Sequence, residues 1–214
     1  IEISNSLYAE CGNILEPKIR EVLGYENVDG VKYEKTINGI PFVCQLDGMS
    51  KKGDEILEIK VTSAKDLEEC YNTYQYQIDC YMMVVDVQKA VLAFLKRDGE
   101  IKDIVNSVIF DHIEPLSSGR PNYLHNLKEY SNEAEIVQEL KNRLSKVEIT
   151  KDMIAIKKIK RSKTKEHQNL CKLKEFWDLK IKLEDDPFMY QDEFLEYRTN
   201  MIKYEKYNKK GELC

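Results

Sequence analysis

The chain lacks the usual marks of a cysteine metal site, of a membrane span and of a passive nucleic-acid binder. Its six cysteines show no Cys-x-x-Cys motif and no paired spacing, so we expect no zinc or iron–sulfur site. No apolar run approaches the roughly 18 residues that cross a bilayer. The net charge is −5, whereas a protein that only binds nucleic acid is normally basic. A nuclease remains compatible with this charge, because metals and local lysines offset carboxylates at its site.

What the chain does contain is typical of a globular protein. Apolar residues make up 42% and charged residues 33% of its 214 residues, which is enough for one sizeable domain. The first residues show no secretory pattern, and unpaired cysteines indicate reduced thiols. We therefore expect a cytoplasmic protein that does not contact a membrane.

Local patterns predict an α/β order in the first half of the chain. Apolar residues at helical spacing predict two helices, and short alternating or apolar runs between turn signals predict five strands. Asn38-Gly39 is a strong signal for a hairpin turn, and Pro17 predicts either a kink or a helix start near residue 16. The helices are expected over 7–23 and from a cap at Ser63 to 85, and the strands over 27–36, 40–47, 56–62, 89–95 and 104–113.

After residue 124 the strand signals disappear. Apolar spacing predicts one helix over 136–147 and another over 190–204. Between them, residues 157–165 hold six basic residues and no acid, which fits either a solvated face or a track for a nucleic-acid backbone. We expect a core over residues 1–125 and a helical extension over 126–214, packed together as one structural domain.

Three side chains on two neighbouring predicted strands could form a metal site beside a cation. Side chains alternate between the faces of a strand, so Glu58 and Lys60 share one face, opposite the apolar residues of their strand. Asp47 lies on the polar face of the preceding strand. If the two strands pair as a hairpin, the three side chains converge. The alternative is an exposed strand face with an ordinary Glu/Lys surface pair.

Further motifs flank this constellation in a fixed order. Gly12 precedes Glu16 by four residues in the first predicted helix, Asp47 is followed by a glycine, and Gln77 lies five residues before a methionine. Over residues 5–110 this ordered set resembles the PD-(D/E)xK nuclease superfamily, in particular its lambda-exonuclease or YqaJ-like viral recombinase branch. The resemblance implies a restriction-endonuclease-like core, with a central mixed β-sheet flanked by helices, to which the C-terminal helical layer is added.

The resemblance also implies a chemistry. Hard oxygen ligands select Mg²⁺ or Mn²⁺, and two ions are expected, with Lys60 positioning the attacking water and Gln77 orienting Lys60 or a metal water. The residues implied as catalytic are Glu16, Asp47, Glu58, Lys60 and Gln77; those implied as metal ligands are Asp47, Glu58, Glu16 and the main-chain carbonyl of Ile59; those expected to contact nucleic acid are Arg20, Lys157, Lys158, Lys160 and Arg161.

The substrate and partners follow from the same resemblance. It implies a deoxyribonuclease that resects duplex DNA ends, as in phage recombination, as a homo-oligomer working with a single-strand annealing protein. One alternative keeps the fold but makes the protein a structure-specific or RNA endonuclease. Another is a non-catalytic nucleic-acid-binding module with a nuclease-like fold, against which the complete set of Asp47, Glu58 and Lys60 argues.

Overall fold

The computed structural model describes the backbone of residues 7–112 and 133–185. The chain divides into two compact units, one of residues 1–33 and 44–161 and the other of residues 34–43 and 162–214. The first unit thus extends past residue 125, where the core was expected to end. The helix predicted over 190–204 lies outside the described residues, and no helix within them is long and apolar enough to cross a membrane.

The described residues form both helices and strands, in a mixed order along the chain. In chain order they are α1 (Leu7–Leu23), β1 (Tyr33–Ile37), β2 (Ile40–Cys44), β3 (Gly48–Met49), β4 (Glu55–Thr62), α2 (Leu67–Val85), β5 (Lys89–Lys96), α3 (Gly99–His112), α4 (Glu133–Leu144), a short 3-10 helix (Lys151–Met153), β6 (Ile154–Lys160) and α5 (Lys163–Asp185).

A four-stranded mixed sheet forms the centre of the first unit. Its strand order is β3-β4-β5-β6. β4 and β5 run parallel, and α2 provides the crossover that a parallel pair requires. β3 and β6 pair antiparallel to their neighbours. The predicted fold class, a mixed α/β architecture with a mixed sheet flanked by helices, is confirmed.

The two faces of this sheet have different neighbours. Leu57 and Ile59 of β4, with Val91 and Ala93 of β5, belong to one buried apolar cluster with residues of α1, α3 and α4. The residues between them face α2, which contacts both β4 and β5. This alternation directs Glu58 towards α2 and away from the main apolar cluster.

Several local predictions hold. The helix predicted over 7–23 is α1, and it continues through Pro17 without interruption. Asn38 and Gly39 both have positive φ angles, 52° and 79°, as expected of the turn that joins β1 and β2. The helix cap predicted at Ser63 is wrong, because Asp66 is the N-cap of α2 and its side chain accepts a hydrogen bond from the main-chain nitrogen of Glu69.

The strand predicted over 104–113 is wrong, because residues 104–112 belong to α3; residue 113 lies outside the described residues. The segment is rich in Ile and Val, which favour strands. Its buried residues, however, lie at helical spacing and pack into the same apolar cluster as α1 and α4; they are Ile101, Val105, Val108 and Ile109. The periodicity, rather than the β-branched composition, decides the structure of this segment.

The prediction that strands end before residue 124 is also wrong. β6 pairs antiparallel with β5 along seven residue positions, from Ile154 opposite Leu95 to Lys160 opposite Lys89. Lysines occupy three of its seven positions and hide the apolar signal of the strand. Charged side chains are common on a strand at the edge of a sheet, where they oppose pairing with other chains.

Candidate active site

Asp47 approaches β4 from a break between two strands. The strand predicted over 40–47 ends at Cys44, and β2 pairs with β1 instead of β4. Only the two residues of β3 pair with β4, with Gly48 opposite Leu57. The predicted hairpin is therefore far shorter than expected. Beyond it, Oδ2 of Asp47 accepts a hydrogen bond of 2.6 Å from the main-chain nitrogen of Ile59, so a carboxylate occupies the place of a neighbouring strand.

This hydrogen bond also fixes the direction of the Ile59 carbonyl. The N–H and C=O groups of one residue in a strand point towards the same neighbour. Because the Ile59 amide donates to Asp47, the Ile59 carbonyl faces the same edge of β4. The implied main-chain ligand therefore lies on the side of the strand from which Asp47 approaches.

Glu58 and Lys60 lie together on the face of β4 that is turned to α2. Glu58 is 2% exposed, and its Oε1 lies 2.5 Å from Nζ of Lys60. The Lys60 ammonium also lies 4.7 Å from the centre of the Tyr74 ring, a cation–π contact. Two carboxylates and one lysine thus meet at Ile59, with the lysine held between an anion and an aromatic face.

Gln77 contacts this group through Glu58. Its Nε2 donates to Oε1 of Glu58 and to the hydroxyl of Tyr81, both at 2.8 Å. In the structure Gln77 therefore contacts the Glu58 carboxylate. The resemblance implies a different role, in which Gln77 orients Lys60 or a water molecule bound to the metal. Tyr74 and Tyr81 were not predicted as site residues. They lie three residues before and four residues after Gln77, the spacing that brings side chains to one helix face, and this signal could have identified them.

Glu16 joins the site through Arg20. The two side chains lie one turn apart on α1, with Nη1 of Arg20 3.2 Å from Oε1 of Glu16. Nη1 also donates to the main-chain carbonyl of Asp47 at 2.6 Å, and the guanidinium makes a bidentate ion pair with Asp29 at 3.0 and 2.9 Å. Arg20 is only 4% exposed. It was expected to contact nucleic acid, but its donors are used inside the protein.

Burial, and to a lesser extent neighbouring carboxylates, raise the pKa values of the acidic side chains in this cluster. Burial, and then the charge of Asp47, raise the pKa of Glu58 to about 7. The same two causes raise the pKa of Glu16 to about 7, although Arg20 opposes the change. Burial raises the pKa of Asp47, whereas the hydrogen bond from the Ile59 N–H and the charge of Lys60 act to lower it. Burial would lower the pKa of Lys60, but Glu58 outweighs it and the pKa rises. The three carboxylates therefore form one electrostatic cluster.

The donor set of this cluster suits a hard divalent cation. Glu16, Asp47, Glu58 and the Ile59 carbonyl offer only oxygen ligands, which Mg²⁺ and Mn²⁺ prefer. A cation among them would compensate both the burial and the repulsion that raise the pKa values. Within 7–112 and 133–185, no three His, Cys, Asp or Glu side chains are already grouped closely enough to hold an ion. A bound metal ion would draw its ligands together, and one of the expected ligands is a main-chain carbonyl, which a grouping of side chains does not include.

The basic run lies on and just after β6, where Lys157 is opposite Leu92 of β5, which in turn is opposite Glu58. Lys157 forms an ion pair with Glu68 of α2 at 2.5 Å, and Arg161 forms one with Asp86 at 2.6 Å. These two cations are neutralised locally, which weakens them as contacts for a phosphate backbone. The exposed members of the run on β6 are Lys158 and Lys160.

Comparisons with known proteins add little to this geometry. No protein-family model matches the sequence, and a search of curated proteins finds no match. A search of solved structures finds a crystal structure of SSO0001, with 17% sequence identity and a TM-score of 0.32. The match covers 63% of this chain and 58% of that chain, so this chain spans less than two thirds of the length of its structural match. A similarity at this TM-score carries no argument about the fold or the activity.

Proposed function

We propose that this chain is a Mg²⁺-dependent deoxyribonuclease that hydrolyses phosphodiester bonds and resects duplex DNA ends as an exonuclease. One observation carries the proposal: Asp47, Glu58 and Lys60 lie together around Ile59 in one partly buried polar cluster. Several titratable groups with shifted pKa values beside one another are typical of active sites. The order of the motifs along the chain then favours a nuclease of the PD-(D/E)xK type.

The burial of Glu58 and Lys60 argues against an ordinary surface pair. An exposed Glu/Lys pair costs the protein little and contributes little. Here the Glu58 side chain is 2% exposed and the Lys60 side chain 20% exposed. Burying such a pair carries a desolvation penalty that its attraction often fails to offset. The pair therefore does not serve stability, and a chemical role explains why it lies at this position.

The residues of the cluster divide the work of hydrolysis among them. Asp47, Glu58 and the Ile59 carbonyl would hold a Mg²⁺ ion, with Glu16 near a second. Bound Mg²⁺ supplies Lewis acidity, which polarises a phosphate and lowers the pKa of a water molecule. Lys60 can donate a hydrogen bond to the attacking water and offset the negative charge that develops on the phosphate oxygens. Gln77 keeps Glu58 in place by donating to its Oε1.

A cleavage assay on end-labelled linear duplex DNA with Mg²⁺ tests the proposal. We expect Glu58→Gln and Lys60→Met each to lower the rate by about 100-fold or more, since each removes a charge that acts on the reacting phosphate. A second E-x-K triplet provides the matched control, because Glu100 and Lys102 are exposed on α3. Glu100→Gln and Lys102→Met should cleave like the wild type. Activity that survives both Glu58→Gln and Lys60→Met would refute the assignment.

The substrates separate the proposal from its alternatives. An exonuclease degrades linear duplex and leaves a closed circle intact, whereas cleavage of the circle identifies an endonuclease. Cleavage of RNA in place of DNA identifies the RNA endonuclease. Binding of DNA without cleavage under any metal condition identifies a non-catalytic module. Association with a single-strand annealing protein and with further copies of this chain stays a prediction.

A further inference from the structure

Arg20 joins three segments that meet at the candidate active site. From α1 its guanidinium contacts Glu16 one turn earlier, Asp29 in the following turn and the main-chain carbonyl of Asp47. Nη1 contacts all three acceptors and shares its two N–H groups among them, and Nη2 adds a second bond to Asp29. A lysine lacks the planar fork of arginine, so it cannot make the two-nitrogen contact with Asp29.

Asp29 determines how the guanidinium is oriented. It accepts from Nη1 and from Nη2, at 3.0 and 2.9 Å, and a bidentate pair fixes the plane of the fork as well as its position. The Asp29 side chain is 55% exposed, whereas that of Arg20 is 5% exposed. The ion pair therefore reaches from the surface to the edge of the buried cluster.

The contact with Asp47 transmits this orientation to the site. Arg20 bonds to the carbonyl of Asp47 at 2.6 Å, and the carboxylate of the same residue accepts from Ile59 at 2.6 Å. One residue is thus held at its backbone by α1 and at its side chain by β4. If the backbone contact is lost, the carboxylate is free to turn away from Ile59.

Gly48 leaves the space that this contact needs. A Cβ atom at residue 48 would lie 3.2 Å from Cδ of Arg20 and 3.2 Å from Cδ2 of Leu57, closer than most Cβ contacts in proteins. A larger residue after Asp47 would displace the aliphatic part of the Arg20 side chain. The glycine of the Asp-Gly pair therefore has a steric reason in this structure, namely the passage of Arg20 towards the Asp47 carbonyl.

We propose that Arg20 is a positioning residue that directs the carboxylates of Asp47 and Glu16 into the candidate active site, and that Asp29 orients Arg20. Arg20 acts through these carboxylates and not on the substrate itself. Its effect on the backbone of Asp47 is independent of the proposed function, whereas its effect on metal binding rests on it. Hydrogen exchange reports the first effect, and metal affinity reports the second.

Amide hydrogen exchange in metal-free protein tests the structural part. In Arg20→Lys we expect exchange of the Ile59 amide to accelerate by about tenfold or more relative to the Ala93 amide of β5, because the Ile59 amide loses its strong hydrogen bond to the charged Asp47 carboxylate when that carboxylate turns away. Asp29→Asn should accelerate it less, since Arg20 keeps its other partners. Arg143→Lys is the matched control, because Arg143 also bonds to two carboxylates, Asp111 and Glu139, but lies apart from Asp47.

Mn²⁺ affinity, measured by titration calorimetry, tests the part that rests on the proposed function. Residues that hold a metal ligand in place typically change affinity by about 10- to 100-fold when replaced. We expect a loss of that size in Arg20→Lys, a smaller one in Asp29→Asn and no change in Arg143→Lys. A residue with a merely structural role would lower the free energy of unfolding in urea without changing the affinity of the folded protein.

The outcomes separate the two proposals. If wild type binds no Mn²⁺ and cleaves nothing, but Ile59 loses protection in Arg20→Lys, the proposed function fails and the positioning role stands. If wild type binds and cleaves, and both variants match it in exchange and affinity, the positioning role is refuted alone. If Arg20→Lys does not fold, Asp29→Asn decides: unchanged protection of Ile59 in that variant overturns the positioning role.

Discussion

Replacing Glu16 with glutamine should stabilise the metal-free protein at pH 8 and have a much smaller effect at pH 5. Glu16 lies close to Asp47 and partly buried, and these two causes raise its pKa from 4.5 to about 7. Between these two pH values the folded protein binds more protons than the unfolded chain. The free energy of unfolding therefore falls as the pH rises through this range, and glutamine, which does not titrate, lacks this fall.

The size of the effect follows from the pKa change. At about 1.4 kcal/mol per pH unit, a change from 4.5 to about 7 corresponds to about 3 kcal/mol. The Glu16 side chain is 26% exposed, and solvent screening reduces the interaction of partly exposed charges. We therefore expect Glu16→Gln to raise the free energy of unfolding at pH 8 by about 1 kcal/mol. The lost contact with Arg20 offsets little of this, because Asp29 and the Asp47 carbonyl remain.

Urea denaturation in EDTA at pH 5 and pH 8 measures both values. The matched control is Glu21→Gln, an exposed residue of the same helix, which should change the free energy of unfolding by less than about 0.5 kcal/mol at either pH. Saturating Mg²⁺ should then stabilise wild type more than Glu16→Gln at pH 8, since only the state with ligand carboxylates binds it well. Glu58 adds a fall of its own in both proteins, so the test is the difference between them. If the free energies of unfolding of wild type and Glu16→Gln differ by the same amount at pH 5 and pH 8, Glu16 does not belong to a crowded carboxylate cluster.

Two further predictions concern other side chains. Lys18→Met should lower the free energy of unfolding by about 1–3 kcal/mol, because Nζ of Lys18 donates to three carbonyls at and just after the end of α4, at 2.7–3.1 Å; Lys141→Met, on the exposed side of α4, is the control in urea denaturation. Tyr74→Leu should lower the cleavage rate several-fold, because it removes the cation–π contact with Lys60. Tyr74→Phe keeps the aromatic ring and should cleave at nearly the wild-type rate. Equal cleavage rates in the two variants would contradict this role of Tyr74.

The elements with clear local signals were predictable from the sequence. β4 and β5 lie within one residue of their predicted bounds, because turn residues flank short runs with strand periodicity. α2 follows the predicted apolar spacing, although its buried face is shifted. Where two local signals conflict, the outcome depends on tertiary packing. In α3, β-branched composition favoured a strand while α1 and α4 stabilise a helix, and in β6 pairing with β5 outweighs a lysine-rich composition.

In the candidate site too, local patterns predicted some features, whereas others depend on contacts between distant segments. That Glu58 and Lys60 share a face follows from the two-residue repeat of a strand. That Asp47 reaches Ile59 depends on the end of β2 at Cys44, which no local pattern indicated. The partnership of Arg20 with Asp29 joins a helix to a turn across nine residues, and neither residue shows it in its own neighbourhood. Contacts between elements were therefore the part that the sequence could not provide.

β4 and β5 lie side by side in the sheet, but only β4 carries charged residues at positions where packing favours apolar ones. Strands covered on both faces normally carry near-continuous apolar runs, and β5 does so, with every residue from Ala90 to Leu95 buried. Glu58 lies opposite Leu92 and Lys60 opposite Phe94, so apolar residues at these two positions of β4 would suit the packing. These two positions are charged instead, and the side chains of Asp47 and Gln77 contact β4 at Ile59 and Glu58. Sites that break a local rule in this way are often functional ones, and here the break coincides with the three side chains that hydrolysis would need.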